Sequence, residues 1–253
     1  MEATAASGGK GVRIAVVLAW TGLGLALACG LAELLAGLGY RWGWWHFRTG
    51  IQVMRWAATT GLAAVALGLA ATLLASAVGA RRALAASIAA FVVSLVVVGP
   101  PLYHWRLVDQ LPRIHDISTD TDKPPVYVAV LPLRKGAENS PDYSAEVAPL
   151  QKKAYPDIVP ALHDLPPAEA FARAERTARA MGWEIVAAVP GELRIEATDT
   201  SLLFGFKDDV VIRVSAANSG SRVDVRSLSR VGRSDFGVNA GRIRNYLKQL
   251  AAG

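Results

Sequence analysis

Hydrophobic positions divide the chain into two regimes. Three stretches are almost unbroken apolar runs: residues 12–38 hold only Arg13 and Glu33 as formal charges, and 56–80 and 83–103 hold none. Each reaches the roughly 20 residues that a helix needs to cross about 30 Å of hydrocarbon. Three membrane spans are therefore predicted. Beyond Tyr103 the pattern breaks into short alternating segments separated by proline and glycine, as in a folded domain in water. The predicted organisation is a three-span transmembrane region over 1–105 and an extracytoplasmic domain over 106–253.

Within the second regime, 106–112 reads as a juxtamembrane connector, and 115–122 is a loop rich in side chains that bond their own backbone. A short strand is predicted over 126–131 and a long surface loop over 132–160. Pro166-Pro167 open a helix over 168–181, where Phe171, Ala174, Ala178 and Met181 recur at helical spacing and Gly182 supplies the C-cap. Segments 183–189, 192–198, 209–214 and 221–230 read as strands, with Pro190-Gly191 and Asn218-Ser219-Gly220 where turns are needed. A final helix over 238–250 turns Ile243, Leu247 and Leu250 inward. This order implies an α+β domain with helices packed on one face of an antiparallel sheet. Alternation puts Arg222, Asp224, Arg226 and Arg230 on one side of the last strand, joined by Arg194, Glu196 and Arg213 from its neighbours. Such a mixed-sign ladder reads as a solvated face.

Charge refines the location. The 253 residues include 27 Lys and Arg against 21 Asp and Glu, and seven of the former and two of the latter precede Tyr103. The remaining 20 and 19 leave the domain nearly neutral, which disfavours nucleic acid as a partner. Arg81 and Arg82 fill a short turn between the second and third spans, so the positive-inside rule places that turn and the amino terminus in the cytoplasm and the domain outside. Arg41, Arg48 and Arg55 around the first loop pull the other way. Trp42, Trp44, Trp45 and Phe47 read as an interfacial belt. Gly22, Gly24, Gly30, Gly61 and Gly68 give smooth helix faces suited to association in lipid. The single cysteine, Cys29, lies in the first apolar run, so neither an intramolecular disulfide nor a cysteine zinc site is available.

Three segments carry a family likeness: HDISTDTDKPP (115–125), GFKDDVVIRV (205–214) and SRVDVRSLSRVGRSDFGVNAGRIR (221–244). They resemble the domain-of-unknown-function family numbered 1499, over roughly residues 113–250. The resemblance implies a widespread bacterial and plastid module, often exported or membrane-attached, with no established activity. It supplies no catalytic residues to carry over.

Residues 221–250 concentrate Arg222, Arg226, Arg230, Arg233, Arg242, Arg244 and Lys248 against Asp224 and Asp235. The segment 232–237 (GRSDFG) offers backbone amides at a helix start, where an anion can be received. The expected ligand-binding set is Arg226, Arg230 and Arg233 as charge donors, with Ser234 and Asn239 orienting the ligand. In the competing reading, Ser234 or Asp235 caps the helix and the arginines pair with Asp208, Asp209 and Asp224. Asp208 and Asp209 point to opposite faces of a strand, and the Asp116, Asp120, Asp122 group lacks the glycine and glutamate of a calcium loop. No metal and no cofactor is expected. Ser227, Ser229, Ser234, Asp235 and His115 are triad residue types without a nucleophile elbow, so no catalytic residue is assigned. The predicted protein is a membrane-anchored, non-enzymatic binding or adaptor protein of the bacterial inner membrane with a periplasmic domain. Its expected partners are the lipid bilayer, an anionic lipid or envelope glycan, and other membrane proteins. The alternatives are a membrane-attached hydrolase and a scaffold or assembly factor for membrane proteins.

Overall fold

The apolar runs become three long helices in a computed structural model that describes residues 2–108 and 111–252: α1 (Glu2–Arg41), α2 (Phe47–Ala77) and α3 (Arg81–Val108). Their segments Gly9–Arg41, Phe47–Ala77 and Arg81–Arg106 are long and apolar enough to cross a membrane. Lipid tails are as apolar as leucine, so helices associate in a bilayer through close packing of small residues. Accordingly Ala26, Ala58, Ala64, Ala71 and Ala90 are fully buried between helices, while Val17, Trp20, Leu73 and Val96 face outward. A Cβ on Gly68 would come within 2.8 Å of the Phe91 backbone, and one on Gly61 within 2.4 Å of a Val98 methyl. Gly22 and Gly30 also sit at close approaches, whereas Gly24 faces open space. The predicted connector is shorter than its sequence suggests, because α3 continues past Pro100 and Pro101 to Val108; its residues 109–110 lie outside the described residues.

The chain clusters into two units, Met1–Asp109 with Leu203–Gly205 and Gln110–Leu202 with Phe206–Gly253. In the second, β1 (Asp116–Ser118), β2 (Ala161–His163), β3 (Glu184–Val189), β4 (Arg194–Thr200), β5 (Lys207–Ala217) and β6 (Gly220–Ser229) form one antiparallel sheet. The strand order is β1-β6-β5-β4-β3, with β2 also paired to β6. The meander β3 to β6 matches the four predicted strands. Three helices accompany it: α4 (Val147–Ala154), α5 (Pro167–Ala180) and α6 (Val238–Ala252). Val210, Ile212, Val223 and Val225 alternate onto the face that packs Phe171 and Ala174 of α5 and Ile243 and Tyr246 of α6. Tyr246 stacks on Trp183 at 5.2 Å and donates its hydroxyl to the Ala174 carbonyl at 3.0 Å. Gly182, at φ +78°, ends the turn after α5 as expected.

Two segments depart from expectation. Residues 126–131 form no strand and run into a 3-10 turn at Leu131–Arg134. The stretch 132–160 is not all surface loop, for it contains α4, whose Gln151 is buried. Gln151 accepts from the Ser118 amide at 2.9 Å and donates to the Ser118 carbonyl at 2.6 Å, occupying the edge of β1 as a further strand would.

Candidate functional site

Strand alternation places Arg222, Asp224, Arg226, Leu228 and Arg230 on the face of β6 opposite α5 and α6. The register sets Arg213, Val211 and Asp209 of β5 beside them, and Glu196 and Thr198 of β4 beyond. This face is not solvated. Glu196, Asp209 and Asp224 are completely buried and Arg226 is 2% exposed. The cause is the segment 119–144, whose Tyr127 and Val130 pack against Val211 and Leu228 and close the face from water.

Burying charges is tolerated only when they are paired and their remaining donors and acceptors are satisfied. Arg226 meets that condition. It donates to both Asp116 oxygens at 2.9 and 2.7 Å, to the Pro125 carbonyl at 3.2 Å and to the Pro141 carbonyl at 2.7 Å. The rings of Tyr127 and Tyr143 flank its guanidinium at 4.8 and 5.3 Å. Burial pushes the Asp116 carboxyl upward and the Arg226 guanidinium opposes it. Arg230 pairs with Asp209 at 2.8 and 3.0 Å and donates to the Leu133 carbonyl. Asp209 also accepts from Arg134 at 2.5 Å and from Thr198 at 2.8 Å.

Asp224 accepts from Arg213 and Arg222, and both arginines reach Asp120 at 3.1 and 2.9 Å. Burial alone would raise the Asp120 carboxyl. The amides of Lys123 and Asp122, with Arg222 and Arg213, outweigh it and hold the group below the usual range. Glu196 accepts the amides of Val128, Ala129 and Val130 at 2.9–3.0 Å, with Arg194 beside it. That carboxylate explains the missing strand over 126–131: three amides that a ladder would need are turned toward one side chain.

The five sequence-marked residues do not converge on one point. Arg226 and Arg230 belong to the covered face. Asn239 is fully buried on the helix side, where it donates to the His115 carbonyl and Ser229 Oγ and accepts from Ser227. Ser234 and Arg233 lie in the turn before α6, where Ser234 Oγ accepts the Phe236 amide. Arg233 is exposed, and among the described residues its guanidinium has no partner. Asp235 caps α6 by accepting the amides of Gly237 at 3.1 Å and Asn239 at 2.6 Å. Burial pushes its carboxyl upward. Arg242 joins Asp208 and Asp199 at 2.7 and 2.8 Å on the helix side, so Asp208 and Asp209 do serve opposite faces.

Sequence reasoning passed over Arg134, Gln151 and the two tyrosines, and it placed Glu196 on this face but read the face as solvated. For Arg134 and the tyrosines the hint was the aromatic and proline content of 124–143. Two open grooves border the covered face. One, of 380 Å³, is lined by 119–122, Gln151, Lys152, 155–156, 158–160 and Arg222; the other, of 580 Å³, is lined by 131–132, 134–135 and 137–141. Among the described residues no cluster of three or more His, Cys, Asp or Glu side chains is placed to hold a metal ion.

The lattice unites the three segments that carry the family likeness. Asp116 and Asp120 of 115–125 hold arginines of 205–214 and 221–244, and Asp208 and Asp209 of 205–214 hold Arg242 and Arg230 of 221–244. No curated protein and no solved structure matches the chain. A family model described as protein of unknown function (DUF1499) matches residues 116–250, more than half of the chain and nearly all of the sheet domain. The chain belongs to the DUF1499 family.

Proposed function

We propose that this is a membrane-anchored, non-enzymatic binding or adaptor protein of the bacterial inner membrane, with its sheet domain on the periplasmic side. Arg233 makes the contact with an anionic group, and Arg226 and Arg230 brace the fold behind it. The observation that carries this reading is the contrast within one arginine-rich segment. Arg226 and Arg230 spend their donors on Asp116, Asp209 and backbone carbonyls, whereas Arg233 is exposed and unpaired among the described residues. An exposed guanidinium keeps its paired donors available for phosphate or carboxylate.

The positions of the triad-type residues favour binding over hydrolysis. Ser227 Oγ bonds Asn239 and Arg242, Ser229 Oγ accepts from Asn239, and Ser234 Oγ accepts a backbone amide. Asp235 caps a helix, and His115 Nδ1 faces the Arg233 carbonyl at 3.4 Å. None of these contacts joins a serine to an imidazole, the step that activates a serine nucleophile.

The test uses the full chain in phosphatidylcholine nanodiscs, titrated with glycerol phosphate. A charge-assisted hydrogen bond contributes about 1.5–3 kcal/mol, so Arg233→Ala is expected to weaken saturable binding at least ~10-fold. Arg233→Lys is expected to recover part of it. Equal binding by the wild type and Arg233→Ala would refute the reading.

A further inference from the structure

The two ends of the sheet differ in character. The pairs Thr200↔Lys207 and Asp208↔Ser229 lie at one end, with the backbone contacts Ser229 N to His115 O and Asp235 N to Ile114 O. The pairs His163↔Ser221 and Ala217↔Gly220 lie at the other. The first end carries Ser201 and Leu202, just after β4, and the turn 232–238. Leu202 is 89% exposed there, and Phe236 and Val238 are each 51% exposed. Arg113, Lys207 and Arg233 are exposed among them, with Glu184 an exposed carboxylate at the same end. Phe236 is held at φ +55°, a backbone region unusual for a large side chain.

Chain length says what this end meets. Helix α3 has 28 residues, about 42 Å, which matches a bilayer including its headgroups. Leu111, three residues past Val108, already packs against the domain core, and a Cβ on Gly237 would lie 3.3 Å from its side chain. Three residues span at most about 11 Å. The end of the sheet that contains Leu111 and the turn 232–238 is thus tethered within roughly a headgroup layer of the bilayer.

We infer that this end is seated in the headgroup layer of the membrane that α1–α3 cross. Phe236, Val238 and Leu202 enter the interface, and Arg113, Lys207 and Arg233 lie against lipid phosphates. Exposed apolar tips rimmed by basic side chains are the pattern of an interfacial contact. Only the phosphate contact of Arg233 rests on the function proposed above; the apolar contact stands on exposure and tether length.

The full chain in nanodiscs provides the test, with Cys29→Ser removing the sole cysteine. A nitroxide is attached at Phe236→Cys, at Val238→Cys and, as a control at the far end, at Leu162→Cys, where the native side chain is 72% exposed. Labels at 236 and 238 are expected to collide with oxygen several-fold more than with a water-soluble nickel chelate, relative to 162. Equal access of the chelate to all three sites would overturn the inference. Adding phosphatidylglycerol to phosphatidylcholine discs is expected to deepen the label at 236, and Arg233→Ala to cancel that gain. If 236 is shielded but indifferent to lipid charge and to Arg233, the seat stands and the phosphate contact fails. If glycerol phosphate binds through Arg233 while 236 lies in water, the seat fails and the proposed function stands.

Discussion

Arg226 shows why a buried charge has to be read together with what surrounds it. Its guanidinium uses four donor contacts, two to Asp116 and two to backbone carbonyls, inside a face closed to water. Arg226→Ala leaves the Asp116 carboxylate buried without its partner, an outcome that costs about 3–5 kcal/mol. The expected readout is a loss of hydrogen-exchange protection across the β6 amides. Arg226→Lys keeps the charge but not the paired geometry, so it restores only part of the protection. The double variant Arg226→Met with Asp116→Leu removes both charges and is expected to lie nearer the wild type than Arg226→Ala. Losses in Arg226→Met alone and in Asp116→Leu alone that simply add in the double would count against this coupling.

At the scale of elements, the segment 119–144 is a cover held by side chains rather than by a ladder. Glu196 is its central fastener, since it takes three consecutive amides. Glu196→Gln removes the charge and turns an amide donor toward those N–H groups, at a cost of about 1.5–3 kcal/mol. Trypsin cleavage after the exposed Lys135 requires the segment to open locally, so its rate in the full chain is expected to rise at least ~10-fold. An unchanged cleavage rate would mean that the cover is held by its other contacts, such as Tyr127, Val130 and the bonds of Arg134, Arg226 and Arg230, without Glu196. The same segment marks where sequence reading stops. The meander and α5 were legible because Val210, Ile212 and Val214, and Phe171, Ala174 and Ala178, repeat with the period of their elements. The strands β1 and β2 have three residues each, too few for a period to show. Val128 and Val130 look like strand formers, but their backbone amides answer to a carboxylate 66 residues or more away. The candidate site was half legible for the same reason. Arg226 and Arg230 stand out as charged positions, yet nothing near them in the chain announces Asp116, 110 residues from Arg226, as the partner.

For the whole molecule, the proposed orientation rests on charge. Three crossings would put the amino terminus and the sheet domain on opposite sides. Lys10, Arg13, Arg81 and Arg82 favour a cytoplasmic amino terminus, and Arg41, Arg48 and Arg55 oppose it if they belong to the first loop. Arg41 and Arg48 sit at helix ends, since α1 ends at Arg41 and α2 begins at Phe47, and they flank a loop 42–46 that itself contains no Lys or Arg. Arg55 lies two turns into α2 with its guanidinium 5.9 Å from the Trp105 ring, the posture of a side chain snorkelling along a helix. Arg81 and Arg82 likewise sit at a helix end, for they open α3 directly after Gly79 at φ +67° and Ala80, but they stand as an adjacent pair beside the shorter turn. In spheroplasts, a membrane-impermeant maleimide is therefore expected to label Leu162→Cys in the Cys29→Ser chain without lysis. Replacing Arg81 and Arg82 by Asn is expected to leave part of the population unlabelled until lysis, because the strongest cytoplasmic determinant has gone. Labelling of the otherwise unaltered chain only after lysis would place the domain in the cytoplasm. Arg233 would then meet the cytoplasmic leaflet, where anionic headgroups are densest.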